Sequence, residues 1–125
     1  MEGITYNQMV VDDRQQELTD AEVDRIFHAL ADATRRDIVR RTLTGEASVS
    51  TLAATYAMSF AAVQKHVAVL EGAGLVTKHR AGRERLVRGN VTTIQRAQEL
   101  LDRYEQLWRS RISQLDDLLA EDPQE

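Results

Sequence analysis

Ser59-Phe60-Ala61-Ala62-Val63-Gln64-Lys65-His66-Val67-Ala68-Val69-Leu70-Glu71-Gly72-Ala73-Gly74 is the stretch from which the rest of the chain can be placed. Ser59 is a good acceptor for the unpaired amides of a helix start. Val63, Val67 and Leu70 then repeat at i, i+4, i+7, so one side of the predicted helix is apolar, and Ala61, Gln64, Lys65 and Ala68 occupy the other. Gly72 and Gly74 predict its end. Upstream, Ser48-Val49-Ser50 predicts the cap of a shorter helix running to about Tyr56, with Leu52, Ala53 and Tyr56 on one face. Only Ala57 and Met58 separate that helix from Ser59. Downstream the period changes: Leu75-Val76-Thr77-Lys78-His79-Arg80 and Glu84-Arg85-Leu86-Val87-Arg88 read as strands around the turn Ala81-Gly82-Arg83. Two short helices on a tight turn, followed by a basic hairpin, make a winged helix-turn-helix.

The flanks extend this unit. Val23, Ile26, Phe27 and Leu30 predict a helix capped by Thr19 or Asp20, broken at Ala31-Asp32-Ala33-Thr34. A second helix carries Ile38, Val39 and Leu43 inward and ends at Gly45. At the far end Ile94, Ala97, Leu101, Tyr104, Trp108, Ile112, Leu115 and Leu119 trace a long apolar stripe, widened by Leu100, Leu107 and Leu118. A helix from about Thr92 to Leu118 is too long for so small a domain to cover, and its excess apolar face asks for a second copy. The expected fold is mainly α: a winged helix-turn-helix with a two-stranded hairpin wing and a long C-terminal dimerisation helix. Its parts are an arm at 1–18, the winged domain at 19–90, the dimerisation helix at 91–122 and a tail at 123–125. Val23, Phe27, Leu101, Tyr104, Trp108, Ile112 and Leu115 are the expected dimer contacts.

Composition narrows the chemistry. Aromatic residues make up 5% of the 125 residues, so the core must come from Leu, Val, Ile and Ala, and burial between two copies would help so small a domain. Cysteine is absent, which removes disulfides, thiolate metal sites and thiol sensing together. No apolar run approaches the ~20 residues that span a bilayer. The acidic start is unlike a signal peptide, so a cytoplasmic protein is expected. The net charge of −4 looks unfavourable for nucleic acid, yet it is unevenly spread. From Ser59 to Asn90, six Lys and Arg face two Glu, a local +4 that leaves −8 for the remainder.

That basic segment supplies the candidate partner, double-stranded DNA. The helix start at Ser59 suits a phosphate. Gln64 can pair with adenine, Lys65 can reach guanine or phosphate, and Phe60 or Ala61 can pack on a thymine methyl. Lys78, Arg80, Arg83 and Arg85 place charge for a minor groove or its flanking phosphates. The plainer reading of Gln64 and Lys65 is a solvated helix face; the tight turn and basic hairpin beside them favour DNA.

Three stretches together resemble the ArsR/SmtB repressors: Ala29-Leu30-Ala31-Asp32-Ala33-Thr34-Arg35-Arg36, Met58 through Glu71, and Ala73-Gly74-Leu75-Val76. The similarity runs from about residue 20 to residue 119, closest to the branch with an Arg-Tyr…Trp pattern, here Arg103, Tyr104 and Trp108. The resemblance implies a homodimeric regulator that binds an inverted-repeat operator and releases it on a signal. The chain departs from the pattern where the family often has proline, at Ala33 and Ala61, and where serine is commonest, at Gln64. The longer Gln64 implies a different operator preference.

The family's metal sensors use cysteines before the recognition helix or Asp/His pairs on the last helix. Val49-Ser50-Thr51-Leu52-Ala53-Ala54-Thr55 offers neither thiolate nor imidazole. Glu99, Asp102, Glu105, Asp116 and Asp117 lack a histidine among them and make a poor site for zinc. No metal, cofactor or catalytic residue is expected. His28 is expected to be partly buried, His66 to lie at the DNA backbone and His79 to be solvated. Arg35 and Arg36 either bind phosphate or pair with Asp32 or Asp37. Two other readings stay open: a repressor controlled by an apolar molecule between the terminal helices, and a winged-helix module that binds protein.

Overall fold

The computed structural model describes residues 17–121; most of the expected N-terminal arm and the tail at 123–125 lie outside them. Among the described residues, five helices and three strands follow in the order α1 (Asp20–Leu30), α2 (Ala33–Thr44), β1 (Ala47–Ser48), α3 (Val49–Thr55), α4 (Phe60–Gly72), β2 (Val76–Ala81), β3 (Glu84–Gly89) and α5 (Val91–Glu121).

Side-chain caps set the helix starts. Thr19 and Glu22 form a reciprocal capping box on α1, and Asp32, Ser48 and Ser59 accept from the amides of Arg35, Thr51 and Ala62. Each satisfies an amide that the helix itself cannot. Ser59 therefore fixes where the predicted recognition helix begins, without proline at Ala61.

One apolar core holds the elements together. Ile26 and Ala29 of α1, Ile38 of α2, Leu52 of α3 and Val63, Val67 and Leu70 of α4 meet Leu75, Val76 and Val87 at the base of the hairpin. The first turns of α5 join it through Ala97 and Ile94. Within α2 the inward set differs from expectation: Leu43 is exposed, and Thr42 is buried with its hydroxyl donating to the Ile38 carbonyl at 2.8 Å. Returning its hydroxyl to its own helix lets threonine sit in the core without an unmet polar group.

The expected two-stranded hairpin is present as β2 and β3, and a short third strand joins it. The sheet has three antiparallel strands in the order β1-β3-β2, with Ala47 opposite Val87 and Ser48 opposite Leu86. Two residues are too few to show alternation, and Ser48 serves both as the end of β1 and as the cap of α3. The strap pins β3 to the helices and leaves the far end of the hairpin projecting. Gly82 turns that end at a φ of 65°, a conformation that favours glycine.

Beyond Leu100 the helix α5 leaves the domain, and every residue from Leu101 to Glu121 is exposed. No helix among the described residues is long and apolar enough to cross a membrane.

Candidate nucleic-acid interface

The chain between α3 and α4 comprises Tyr56, Ala57, Met58 and Ser59. Its geometry is held from one side: the Tyr56 hydroxyl donates to Asp37 Oδ2 at 2.6 Å, and the Arg41 guanidinium lies 5.9 Å from the Tyr56 ring centre. Asp37 also accepts from Arg40 at 2.6 Å and Arg41 at 2.7 Å. The Tyr56 hydroxyl, then Arg41 and Arg40, hold the Asp37 carboxyl well below the usual carboxylate range. The Tyr56–Asp37 bond has no local signature, because its partners stand nineteen positions apart.

With α4 seated by Val63, Val67 and Leu70, its opposite face turns outward. Phe60, Ala61, Gln64 and Lys65 are exposed, and Phe60 keeps 48% of its surface at the helix start. His66 lies at the edge of this face, half-buried, with Arg35 Nη1 at 3.2 Å from its Nδ1 and Asp32 Oδ2 at 3.9 Å. Since arginine can only donate, Nδ1 is the acceptor of that hydrogen bond. Arg35 does more than meet His66. Its Nε donates to the Ala29 carbonyl at 2.7 Å and its Nη2 to the His28 carbonyl at 3.0 Å, while Arg36 Nη1 reaches the Leu30 carbonyl at 2.8 Å. The two arginines thus close the C-terminal carbonyls of α1, where cations are favoured. These carbonyl contacts add a capping role to those expected from sequence, and Arg35 also lies close enough to Asp32 to favour its ionised form. His28, expected to be partly buried, is exposed.

The hairpin has two chemically different faces, because directly opposed residues share a face and neighbours alternate. One face carries the pairs Thr77–Arg88, His79–Leu86 and Ala81–Glu84. There Glu46 Oε2 lies 2.8 Å from His79 Nε2 and 2.9 Å from Arg88 Nη2. The other face begins at the core with Val76 and Val87, passes Lys78 and ends with Arg80 opposite Arg85. Lys78 pairs with Glu71 of α4 at 3.4 Å. Among the described residues, Lys65, Arg80, Arg83 and Arg85 have no carboxylate within ion-pair distance. A cleft of about 410 Å³ lies between α4 and the hairpin, lined by Val49, Ala61, Gln64, Lys65, Val67, Ala68, Lys78 and Arg85. The structure therefore brings Ala61, Gln64, Lys65, Lys78 and Arg85 to one concave surface; Arg80 lies beside it and Arg83 near the hairpin tip. No group of three His, Asp or Glu able to hold a metal occurs among the described residues.

The expected dimer residues lie apart from the lining of this cleft. Val23 is half-buried and Phe27 is 39% exposed on α1. Leu101, Tyr104, Trp108, Ile112 and Leu115 line the projecting part of α5, with Trp108 at 61%.

A family model described as a helix-turn-helix domain matches residues 30–79. The chain is 40% identical over 81 residues to the HTH-type transcriptional regulator Rv2034 of Mycobacterium tuberculosis, covering 65% of this chain and 76% of that one. The crystal structure of an ArsR family transcriptional regulator, RHA00566, superposes with a TM-score of 0.70 at 32% identity, covering 75% of this chain and 97% of the other. A homodimeric winged helix-turn-helix DNA-binding domain from Mycobacterium bovis, at 24% identity and a TM-score of 0.55, covers 72% of this chain and 91% of its own and shares the fold. With its helix-turn-helix DNA-binding domain, this chain belongs to the ArsR family of winged helix-turn-helix transcriptional regulators.

Proposed function

We propose that the protein is a homodimeric repressor that binds an inverted-repeat operator and works without a metal or thiol sensor. The observation that carries this reading is the outward face of α4, where Gln64 and Lys65 share a cleft with Arg85 and, among the described residues, neither cation has a carboxylate within ion-pair distance. Unneutralised cations beside exposed hydrogen-bonding groups suit a phosphate backbone flanking readable base edges. In this reading Ser59 holds the register of α4, Gln64 reads a base, and Phe60 and Ala61 meet apolar base surface. Lys65, Arg80, Arg83 and Arg85 supply charge, Lys78 stays with Glu71, and His66 supports α4 from behind while its exposed edge meets the backbone.

Dimerisation accounts for the apolar face of α5. A second copy seated on Leu101, Tyr104, Trp108, Ile112 and Leu115, with Val23 and Phe27 at the base, removes a surface that water would otherwise solvate poorly. The paired α4 helices then enter successive major grooves about 34 Å apart.

The test uses duplexes selected from a random pool by the full-length protein. Selected sequences should contain two half-sites in inverted orientation. Inserting about five base pairs between them, half a helical turn, should abolish selective binding. Gln64→Ala should lose preference at one position per half-site, by about 1–3 kcal/mol. Lys65→Ala should either weaken all sequences and lower the salt dependence, or lose one guanine position. Selection of a single half-site, or unchanged affinity in both variants, would contradict the reading.

A further inference from the structure

The arginines of the wing stand in two different places. Arg80 and Arg85 are direct cross-strand partners on the face that also carries Lys78 and the buried Val76 and Val87. Two like charges in this position repel each other. On that face Lys78 pairs with Glu71 at 3.4 Å, and among the described residues neither arginine has a carboxylate within ion-pair distance. On the other face Glu46 meets both His79 and Arg88. The excess charge of the hairpin is thus concentrated toward α4.

Arg85 is the link between the hairpin and the recognition helix. It lines the cleft of about 410 Å³ with Gln64 and Lys65. It also lines a hollow of about 230 Å³ with Phe60 and Arg83, and one of about 250 Å³ with Lys78 and Arg80. Arg83 sits instead in the turn after Gly82, and it lines the hollow of about 230 Å³ but not the one of about 250 Å³ that Arg80 lines. When α4 occupies a major groove and the hairpin tip reaches the adjoining minor groove, one sugar-phosphate strand must pass between them.

Resting on the operator-binding reading above, we infer that Arg80 and Arg85 form a two-guanidinium seat for a single phosphate of that strand. Arg83 acts separately at the minor groove. The ligand group is a phosphodiester oxygen pair, which suits the planar donors of arginine and would relieve the repulsion between the opposed side chains.

The experiment measures affinity against salt concentration for wild type, Arg80→Ala, Arg85→Ala, the double variant and Arg83→Ala, on the selected operator. The log–log salt slope reflects how many phosphates are neutralised. With two half-sites per dimer, a shared phosphate in each lowers the slope of the double variant by about 1.8, and either single variant, which keeps one arginine on that phosphate, lowers it by less; separate phosphates for the two arginines lower it by about 3.6. A scan with single uncharged methylphosphonates locates the contact. One position per half-site should weaken wild type on the order of tenfold and leave the double variant unaffected. Arg83→Ala should remain sensitive at that position. Additive losses at two different positions in each half-site, or a slope change of about 3.6, would overturn the shared seat while leaving operator binding intact. Failure of the wild type to bind any duplex would remove the operator reading and the seat with it. Thermal melting of Arg80→Ala and Arg85→Ala in low-salt buffer without phosphate gives a control for folding: both should melt at or above the wild-type temperature, since each removes a repulsion.

Discussion

The Tyr56 hydroxyl donates to Asp37 Oδ2 across 2.6 Å, joining the residue that ends α3 to the second turn of α2. This bond holds the start of the turn that aims α4, and Arg40 and Arg41 bind the same carboxylate. Tyr56→Phe keeps the ring against Arg41 and removes only the donor. The variant should melt about 4 °C lower than wild type. Operator affinity should fall a few-fold, because the angle between α3 and α4 is less restrained. A differential scanning measurement at pH 7 checks the first effect; an unchanged midpoint would assign the turn geometry to core packing alone.

The same carboxylate gives the protein an acid limit. Asp37 is held low by Tyr56, Arg41 and Arg40, Asp32 by the Arg35 amide and then by His66 and Arg35, and Glu22 by its bonds to Thr19 and then by Arg96 and Arg25. Each folded-state value lies below the unfolded one, so the folded chain binds fewer protons. Their stabilisation is complete above about pH 5 and disappears as pH falls toward the folded-state values. The melting temperature should be level from pH 7 to about pH 5 and drop below about pH 4. Asp37→Asn should melt lower at neutral pH, and its gap to wild type should narrow as acid is added. Parallel curves would show that Asp37 is not among the groups responsible.

Gly89, at the end of β3, lies against α2. A β-carbon there would come within 2.8 Å of Leu43 Cγ and Cδ2 and 3.0 Å of its backbone nitrogen. The exposed leucine side chain can move, but the backbone cannot move without disturbing α2. Gly89→Ala should cost about 1–3 kcal/mol by urea unfolding. Adding Leu43→Ala should recover part of the loss by removing the side-chain clash.

Trp108 is the only tryptophan, and it lies on the exposed stripe of α5. Its fluorescence should shift to the red on dilution, as the proposed dimer separates and the indole meets water. Trp108→Glu should weaken dimerisation by roughly 30-fold or more, read by sedimentation. Its melting temperature should be independent of protein concentration over the range where wild type varies. A concentration-independent emission maximum in wild type would place the interface elsewhere.

The helices and the tight turn before Ser59 can be read from the chain because periodic apolar residues and caps are local signals. Val63, Val67 and Leu70 have a single arrangement that buries them together, so the outward position of Gln64 and Lys65 follows. β1 escaped because Ala47 and Ser48 carry no repeat, and Ser48 already had a role as a cap. The partners of Arg35 and Arg36 escaped for a different reason. Their acceptors are carbonyls of α1, which every sequence possesses, whereas Asp32 and Asp37 drew attention as charged neighbours. Glu46 was likewise unremarkable until the sheet placed it beside His79 and Arg88. Tertiary pairing, more than propensity, separates the neutralised cations of the wing from the available ones.

Binding of the full-length protein to the DNA upstream of its own gene, beside a shuffled duplex and at two salt concentrations, addresses the proposed operator recognition itself. Tight binding to the upstream duplex, at least on the order of a thousandfold stronger than to the shuffled one and weaker at the higher salt, is the expected result. No binding to either duplex at low salt would contradict the account and leave the basic face of α4 and the hairpin as a surface for an acidic protein partner.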